Sequence, residues 1–321
     1  MEAGTVNMPL VSICMPAYNA AQYIEEALAS IFRQSYKHIE VVVVNDGSTD
    51  GTGEILSNMK HPALKVFHTT NKGQCAAANL AYSHSTGRLI KFMDADDLIS
   101  DQFIEEQVTR LGDREDVIAS ADWGRFYNND LATFTLYTDS VKGDTKPIEW
   151  LVTSLQTSSA MMQCARWLIP RPILERCGVW DERLSLINDL EFFIRVLLHA
   201  SEIRFTDNAI LYYRSGLPSS LSSLKSRKGA ESAFHSIDDG MSYILKYENS
   251  ARTRLVCANC YQSYIFTFYP YHPDLSAIAE TKIKELGGST LPCYAGGVTL
   301  LFHKIIGWKL TKLIKLLFRK G

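Results

Sequence analysis

Three carboxylates, Asp94, Asp96 and Asp97, fall within four positions of the stretch KFMDADDLIS, directly after the apolar run LIKFM. Acid crowded at the end of a buried strand is unfavourable unless positive charge lies against it. A divalent cation meets that need best, because carboxylate oxygens are hard ligands suited to Mg2+ or Mn2+. Such ions are commonly held by one or two carboxylates together with substrate phosphates. The alternating spacing of Asp94 and Asp96 lets both reach the turn at the strand end, and Asp97 is left to be held by backbone or by a basic neighbour. Capping of a helix that starts near Ser100 or Asp101 would need one such residue, not three.

The elements that must position these acids are legible in the first 120 residues. Short β-branched runs at 11–15, 39–45, 64–68, 89–94 and 116–121 predict strands. The unbroken run Val41 to Val44 predicts burial on both faces, as in a parallel sheet. Ile24, Ala27, Leu28 and Ile31 predict a helix with Asn19 as its N-cap, and further helices are expected near 74–85 and 101–111. The order β-α-β-α-β-α-β predicts an α/β open sheet, whose ligands bind at the carboxyl ends of the strands. Four of those ends are polar: PAYN (16–19), NDGSTD (45–50), NKGQ (71–74) and DADD (94–97). Convergence of all four would make one pocket with an acidic side.

Beyond residue 120 the pattern is less regular. NDLEFFIRVLLHA (188–200) predicts a helix, AILYYR (209–214) a strand, 215–229 a Gly/Pro/Ser-rich boundary, and 230–286 a mainly helical region. The expected organisation is a domain over 1–215, a linker over 216–229, a helical accessory region over 230–300 and a basic amphipathic helix over 301–321.

At 321 residues and 46% hydrophobic content, the composition is that of a folded globular protein, and a formal charge of −2 gives no reason to expect a nucleic-acid partner. The charge is uneven, since 302–321 carries Lys304, Lys309, Lys312, Lys315, Arg319 and Lys320 with no acid. The N-terminus lacks the basic start and apolar length of a signal peptide, and no run reaches the roughly 18 apolar residues of a spanning helix. Seven scattered cysteines suit reduced thiols in a cytoplasm. Cys257 and Cys260 form a CxxC without the second ligand pair that zinc requires.

Together and in order, VSICMPAYNAAQYIEEALASIFRQSY, IEVVVVNDGSTDGT, NKGQCAAANLAYSHSTGRLIKFMDADD and NDLEFFIRV resemble the family 2 glycosyltransferases of the GT-A fold, over roughly residues 9 to 215. The resemblance implies a Rossmann-like open sheet flanked by helices, followed here by the helical C-terminal region. It also implies inverting transfer of a sugar from a nucleoside-diphosphate sugar, UDP favoured, to an acceptor hydroxyl. Pro16, Ala17, Tyr18 and Asn19 would line the nucleotide pocket and Asp46 would bond the base. Asp94 with Ala95 would face the ribose and diphosphate, and Asp96 would bind the Mn2+ or Mg2+ that bridges the phosphates. One departure stands out: an arginine common in the family's GxxAARN stretch is matched by Ala78, so that either Lys72 substitutes for it or the base preference differs.

Inversion needs a carboxylate that removes the acceptor hydroxyl's proton, and the family position for it is matched by Asp189. Asn188 and Glu191 have the spacing of a capping pair, which would leave Asp189 free to point into the cleft. Trp167, Trp180 and VWDERL (179–184) either shape an acceptor pocket or pack the core, and Arg214 either meets a phosphate or pairs with an acid. On a helical wheel, Lys304, Lys312, Lys315 and Arg319 lie opposite Ile306, Leu310, Leu313 and Leu317, with Trp308 toward the basic side. Such a helix predicts peripheral contact with the inner face of the cell membrane and a lipid-linked or glycan acceptor, as in cell-surface polysaccharide synthesis. Docking on the protein, or on a second copy in a homo-oligomer, is the competing expectation.

Two other reaction classes fit worse. A phosphatase with a DxD nucleophile wants it after the first strand, and a nucleotidyltransferase wants a Gly-rich phosphate loop near the N-terminus. A catalytically inactive sugar-nucleotide-binding subunit of a membrane assembly remains the alternative from a different class.

Overall fold

The computed structural model describes residues 8–137, 139–157, 161–217, 226–293 and 298–318. Strands β1 (Val11–Ala17), β2 (Ile39–Asp46), β3 (Leu64–Thr69) and β4 (Leu89–Phe92) run parallel in the order β3-β2-β1-β4. They are connected through α1 (Ile24–Phe32), α2 (Thr52–Asn58) and α3 (Gln74–Ser83). The unbroken valine run of β2 has the cause its composition suggests. Val41 and Val43 enter one core with Ile24, Leu28 and Ile31, while Val42 and Val44 enter another with Ala77, Ala81 and Phe192. A strand covered on both faces has no solvent side on which to place polar residues.

The chain continues through β5 (Leu98–Ile99), α4 (Phe103–Leu111), β6 (Val117–Ala119), β7 (Asp122–Tyr127), β8 (Asp130–Leu136), α5 (Pro147–Leu155), β9 (Ile169–Pro170), α6 (Arg171–Cys177), α7 (Asn188–Leu198), β10 (Glu202–Arg204) and β11 (Ile210–Ser215). Four of these strands form a second sheet in the order β5-β11-β7-β8. Here the sequence reading needs a correction. The run 116–121 is not the fifth strand of the main sheet: β6 pairs with β10, and the place beside β4 is taken by β9, antiparallel. Only three residues of the run are extended, and Ala119 bridges to Leu168 just before β9.

Helices α8 (Arg227–Tyr247), α9 (Ala251–Phe268) and α10 (Pro273–Glu285) give the helical C-terminal region that the sequence predicts. Ala230, Ala233, Ile237, Met241, Tyr264 and Phe268 share a core with α7's Phe192, Phe193 and Ile194. Most of the expected linker, 218–225, lies outside the described residues. The last helix, α11 (Val298–Phe318), bends at Gly307, whose φ of 76° and ψ of 157° are not helical.

The N-cap expected at Asn19 is also corrected. Helix α1 begins beyond Tyr23, and Asn19 itself sits in the left-handed region at φ 50°. Its side-chain oxygen accepts from the Thr49 backbone N–H at 2.8 Å, and its own N–H donates to Ser48 Oγ at 3.0 Å. Asn19 therefore stitches two strand-end loops together instead of capping a helix.

Candidate functional site

The four polar strand ends do converge. Pro16 to Asn19, Asp46, Asn71 with Gly73 and Gln74, and Asp94 to Asp96 line one cleft of about 730 Å³ at the carboxyl edge of the main sheet. Its opposite wall comes from the Leu186–Leu190 segment, from Met161 to Gln163, and from helices α8 and α9 through Ile237, Tyr264 and Phe268.

The walls are fixed by contacts between loops. Both carboxylate oxygens of buried Asp46 accept backbone N–H groups, from Lys72 at 2.8 Å and from Gly73 at 2.9 Å. Gly47 next to it has φ 69°, and a Cβ there would stand 2.6 Å from the Asn71 nitrogen, so only glycine permits the approach. Lys72 contributes its amide. Its side chain is exposed and is not part of the cleft wall. Ala78, where the family often has arginine, is buried in the core beneath α3. Tyr18 is exposed at the rim, while Ala17 and Ala95 are buried in the floor.

At the acidic turn the ligand atoms of Asp94, Asp96 and Asp97 all lie within 4.8 Å of one another. Asp94 accepts from Gln74 Nε2 at 2.8 Å and from the Cys164 thiol. Asp97 is fully buried and accepts the Arg214 backbone N–H at 2.9 Å through Oδ1, while its Oδ2 has no partner among the described residues. Arg214 resolves between its two expected roles. Its guanidinium is buried, donates to the Asp96 carbonyl at 2.7 Å and to Glu26 Oε2 at 2.8 Å, and lies over the rings of Tyr23 and Phe126. It braces the backbone of the turn and pairs with Glu26, and its charge draws Asp96 and Asp97 down by less than burial and mutual repulsion push them up.

The consequence is visible in their protonation. Burial, then repulsion from Asp94, pushes Asp96 up to about 7. Burial raises Asp94, and burial followed by repulsion from Asp96 and Asp94 raises Asp97 well above the carboxylate range. Asp94 and Asp96 keep part of their surface open to the cleft although protein surrounds them at its floor. A set of crowded hard oxygens, one of them buried and unpaired, could hold a metal ion. Among the described residues it is the only cluster of three or more such ligands, and Cys257 and Cys260 are simply buried along α9.

Asp189 enters the same cleft from the first turn of α7. Burial and the charge of Asp94 hold its carboxyl well above the usual range, which ties the two acids electrostatically across the cleft. The capping pair expected beside it is not formed. Asn188 instead donates to Gln74 Oε1 at 3.4 Å and to Cys75 Sγ at 3.2 Å, and Glu191 pairs with Arg195 at 2.6 Å. The cap comes from another helix: Ser236 Oγ of α8 accepts the Glu191 N–H at 3.2 Å and donates to the Ile187 carbonyl at 2.6 Å. One turn earlier, Ser232 Oγ accepts the N–H groups of Ser185 and Leu186 at 2.7 and 2.9 Å. These two serines hold Ile187 at φ 60°, a conformation that a β-branched residue resists. Asn188 to Gln74 to Asp94 then forms a continuous side-chain path between the start of α7 and the acidic turn.

Both tryptophans proposed for the acceptor side serve the core. Trp180 stacks on Phe192 with ring centroids 3.8 Å apart, Trp167 packs between Trp150 and Phe193, and neither lines the cleft. The sequence reading passed over Gln163 and the α8 serines. No local spacing marks them, because only tertiary packing brings them to the cleft or to its flanking loop.

The basic helix departs from its helical wheel. The bend at Gly307 turns Trp308 onto Phe266 and Tyr269, Lys309 pairs with Glu280 at 2.6 Å, and Lys312 Nζ donates to the Phe266 carbonyl at 2.6 Å. Trp308 is therefore docked on the protein and is not free for a headgroup layer. Phe302, Ile305, Leu310 and Leu313 remain exposed. The side chain of Lys304 and all of Arg319 and Lys320 lie outside the described residues. Among the described residues no helix is long and apolar enough to cross a membrane.

An open sheet of this topology with its acids gathered at the carboxyl edge defines a GT-A architecture. The fold matches S. aureus TarS 1-349 solved in complex with UDP-GlcNAc, with a TM-score of 0.70 at 20% identity over 87% of this chain and 82% of that one. Residues 12–164 match glycosyl transferase family 2. Glycosyltransferase GlyG of Streptococcus pneumoniae is 30% identical over 219 residues, 64% of this chain and 71% of the relative. An uncharacterized glycosyltransferase of Haemophilus influenzae is 42% identical over 106 residues, 32% of this chain but only 42% of the relative's length. The chain belongs to glycosyl transferase family 2.

Proposed function

We propose that this glycosyltransferase transfers a sugar, with inversion, from a UDP-sugar to an acceptor hydroxyl in a reaction that depends on a divalent cation. The observation that carries the reading is that Asp94 and Asp96, backed by buried Asp97, line the same cleft at the strand ends as Asp189. Pro16, Ala17, Tyr18 and Asn19 wall the nucleotide, Asp46 and the 71–73 loop receive the base, and Asp94 with Ala95 faces the ribose and diphosphate. Asp96 would hold Mn2+ or Mg2+, with Asp94 and Asp97 adding negative potential. When bound, such an ion neutralises charge developing on the departing diphosphate, worth several kcal/mol. Asp189 takes the proton of the acceptor hydroxyl as its oxygen bonds to the anomeric carbon on the face opposite the leaving group. The UDP-GlcNAc bound by TarS supports uridine as the base.

The exposed apolar residues of α11 support a second element of the reading, peripheral contact with the inner face of the cell membrane and a lipid-linked acceptor used in cell-surface glycan synthesis. Seven free thiols suit that compartment. Sedimentation with vesicles containing anionic lipid tests the contact. The full chain is expected to pellet, and substitution of Phe302, Ile305, Leu310 and Leu313 by serine is expected to abolish pelleting. Equal pelleting of both removes the membrane from the reading. For the reaction itself, a panel of UDP- and GDP-sugars with Mn2+ tests hydrolysis and transfer, and release of nucleoside diphosphate only when EDTA is absent is expected.

A further inference from the structure

We infer that Gln163 reads a polar substituent of the transferred sugar, an inference that rests on the donor reading above. Gln163 is 3% exposed and lines the cleft, yet neither its amide nitrogen nor its amide oxygen has a hydrogen-bond partner among the described residues. A buried primary amide left wholly unpaired by protein is costly, and such a group in a cleft is completed by solvent or by a ligand.

The backbone just beyond this amide is held by buried side chains. Lys91, itself buried, donates through Nζ to the carbonyls of Ala165 at 2.8 Å and Trp167 at 3.1 Å. Gln107 Nε2 donates to the Arg166 carbonyl at 2.7 Å. The Arg166 guanidinium donates to the carbonyls of Ala121 at 3.2 Å and Met161 at 3.3 Å and pairs with Asp139. The short helical turn Cys164–Arg166 is thus anchored on both flanks. Gln107 Oε1 and Trp167 Nε1 are also unpaired among the described residues, but of these side chains only Gln163, just before the turn, lines the cleft. Rigid support around an unmet donor and acceptor is the arrangement expected of a preorganised contact.

Position selects the ligand. The next residue, Cys164, hydrogen-bonds Asp94 and lies within electrostatic reach of Asp189. The acidic turn faces the diphosphate and Asp189 faces the attacking hydroxyl, and the anomeric carbon must lie between those two oxygens. Gln163, adjacent to Cys164 and itself on the cleft wall, is therefore the residue assigned to the sugar ring. Sugar hydroxyl and acetamido groups each offer a donor and an acceptor, the same pair that the amide presents. The base is held on the other side of the cleft by the Asp46 loop, and apolar acceptor surface would leave both amide atoms unmet.

The test compares the wild type with Gln163→Leu, and with Gln163→Met should the first fold poorly. Calorimetric affinities are measured for UDP and for UDP-GlcNAc, UDP-glucose and UDP-galactose, each with Mn2+. We expect UDP to bind the variant within about twofold of wild type, while the best-bound UDP-sugar weakens about tenfold. The Tm is expected to hold or rise, because two unpaired polar atoms have been removed from a buried place. An unchanged ratio of UDP-sugar to UDP affinity, or a Tm several degrees lower, overturns the inference, the latter by showing a structural role. If the wild type binds none of the four compounds, the donor reading fails and this inference with it.

Discussion

Glu40 and the 94–97 turn set buried carboxylates at opposite edges of the same parallel sheet, and the protein treats them in opposite ways. Glu40, at the amino edge, accepts from Ser12 Oγ at 2.6 Å, Lys65 Nζ at 2.7 Å, the Thr86 N–H at 2.5 Å and the Gly87 N–H at 3.1 Å. Burial alone would raise it, but these donors prevail and pull it down to about 2. Even Gly87 is part of the arrangement, since a Cβ there would stand 2.4 Å from Ser12 Oγ. The aspartates at the carboxyl edge receive few donors, the charge of Arg214 is outweighed by burial and mutual repulsion, and their protons are held instead. Desolvation is common to both sites, so the supply of donors decides the sign. A carboxylate that the fold satisfies needs no ligand, whereas a cluster that the fold leaves short is a candidate ligand site.

The largest expected effect breaks the functional edge alone. Asp189→Asn keeps the shape and removes the base, and transfer should fall by about a thousandfold or more with Mn2+-dependent UDP affinity and Tm retained. Parallel loss of UDP affinity would make Asp189 a binding residue and remove its role as base. Next comes Asp96→Ala, which should also abolish transfer but in addition weaken Mn2+-dependent UDP binding at least about tenfold. The two variants are distinguished by binding, not by activity.

Glu40→Gln addresses the structural edge. It places an amide group against Lys65 in place of a carboxylate oxygen, and about 2 kcal/mol of stability should be lost in urea unfolding with UDP affinity unchanged. A stability loss under a few tenths of a kcal/mol would show that the donors at this edge can be satisfied by water.

The smallest effect is in pH dependence, where the two edges should slope in opposite directions. Glu40 falls from its ordinary 4.5 to about 2 on folding, so its contribution is full above about 4.5 and is lost as pH drops toward 2. Asp96 rises from 3.8 to about 7, so the folded chain binds the extra proton and its contribution is full below about 3.8 and lost as pH rises toward 7. The Tm of metal-free protein should therefore decline between about pH 4 and about pH 7, and Asp96→Asn should flatten that decline. A decline of the same size in Asp96→Asn would assign it to other groups.

Much of the carboxyl edge was legible before any coordinates. Strand ends follow from apolar runs, the open-sheet rule says where they meet, and the acids and Asp189 stand in local stretches that carry their own signal. The braces were not legible. Arg214 reaches Asp96 and Asp97 across more than a hundred residues, Ser236 caps a helix that its own helix packs against while Ser232 holds the loop before it, and Gln163 is marked only by what fails to touch it. Two misses had a local signal. Asn128 and Asn129 both have positive φ, the type I′ turn that asparagine pairs favour, between the apolar runs of β7 and β8. Gly307 inside the basic helix was likewise a readable break.

Isothermal titration of Mn2+ into the metal-free protein, with and without UDP, tests most directly whether the 94–97 turn is completed by a cation shared with a diphosphate. Saturable binding that tightens when UDP is present, and that is lost in Asp96→Ala, is expected. Equal uptake by Asp96→Ala, or no uptake by folded wild-type protein under either condition, contradicts the assignment of that turn.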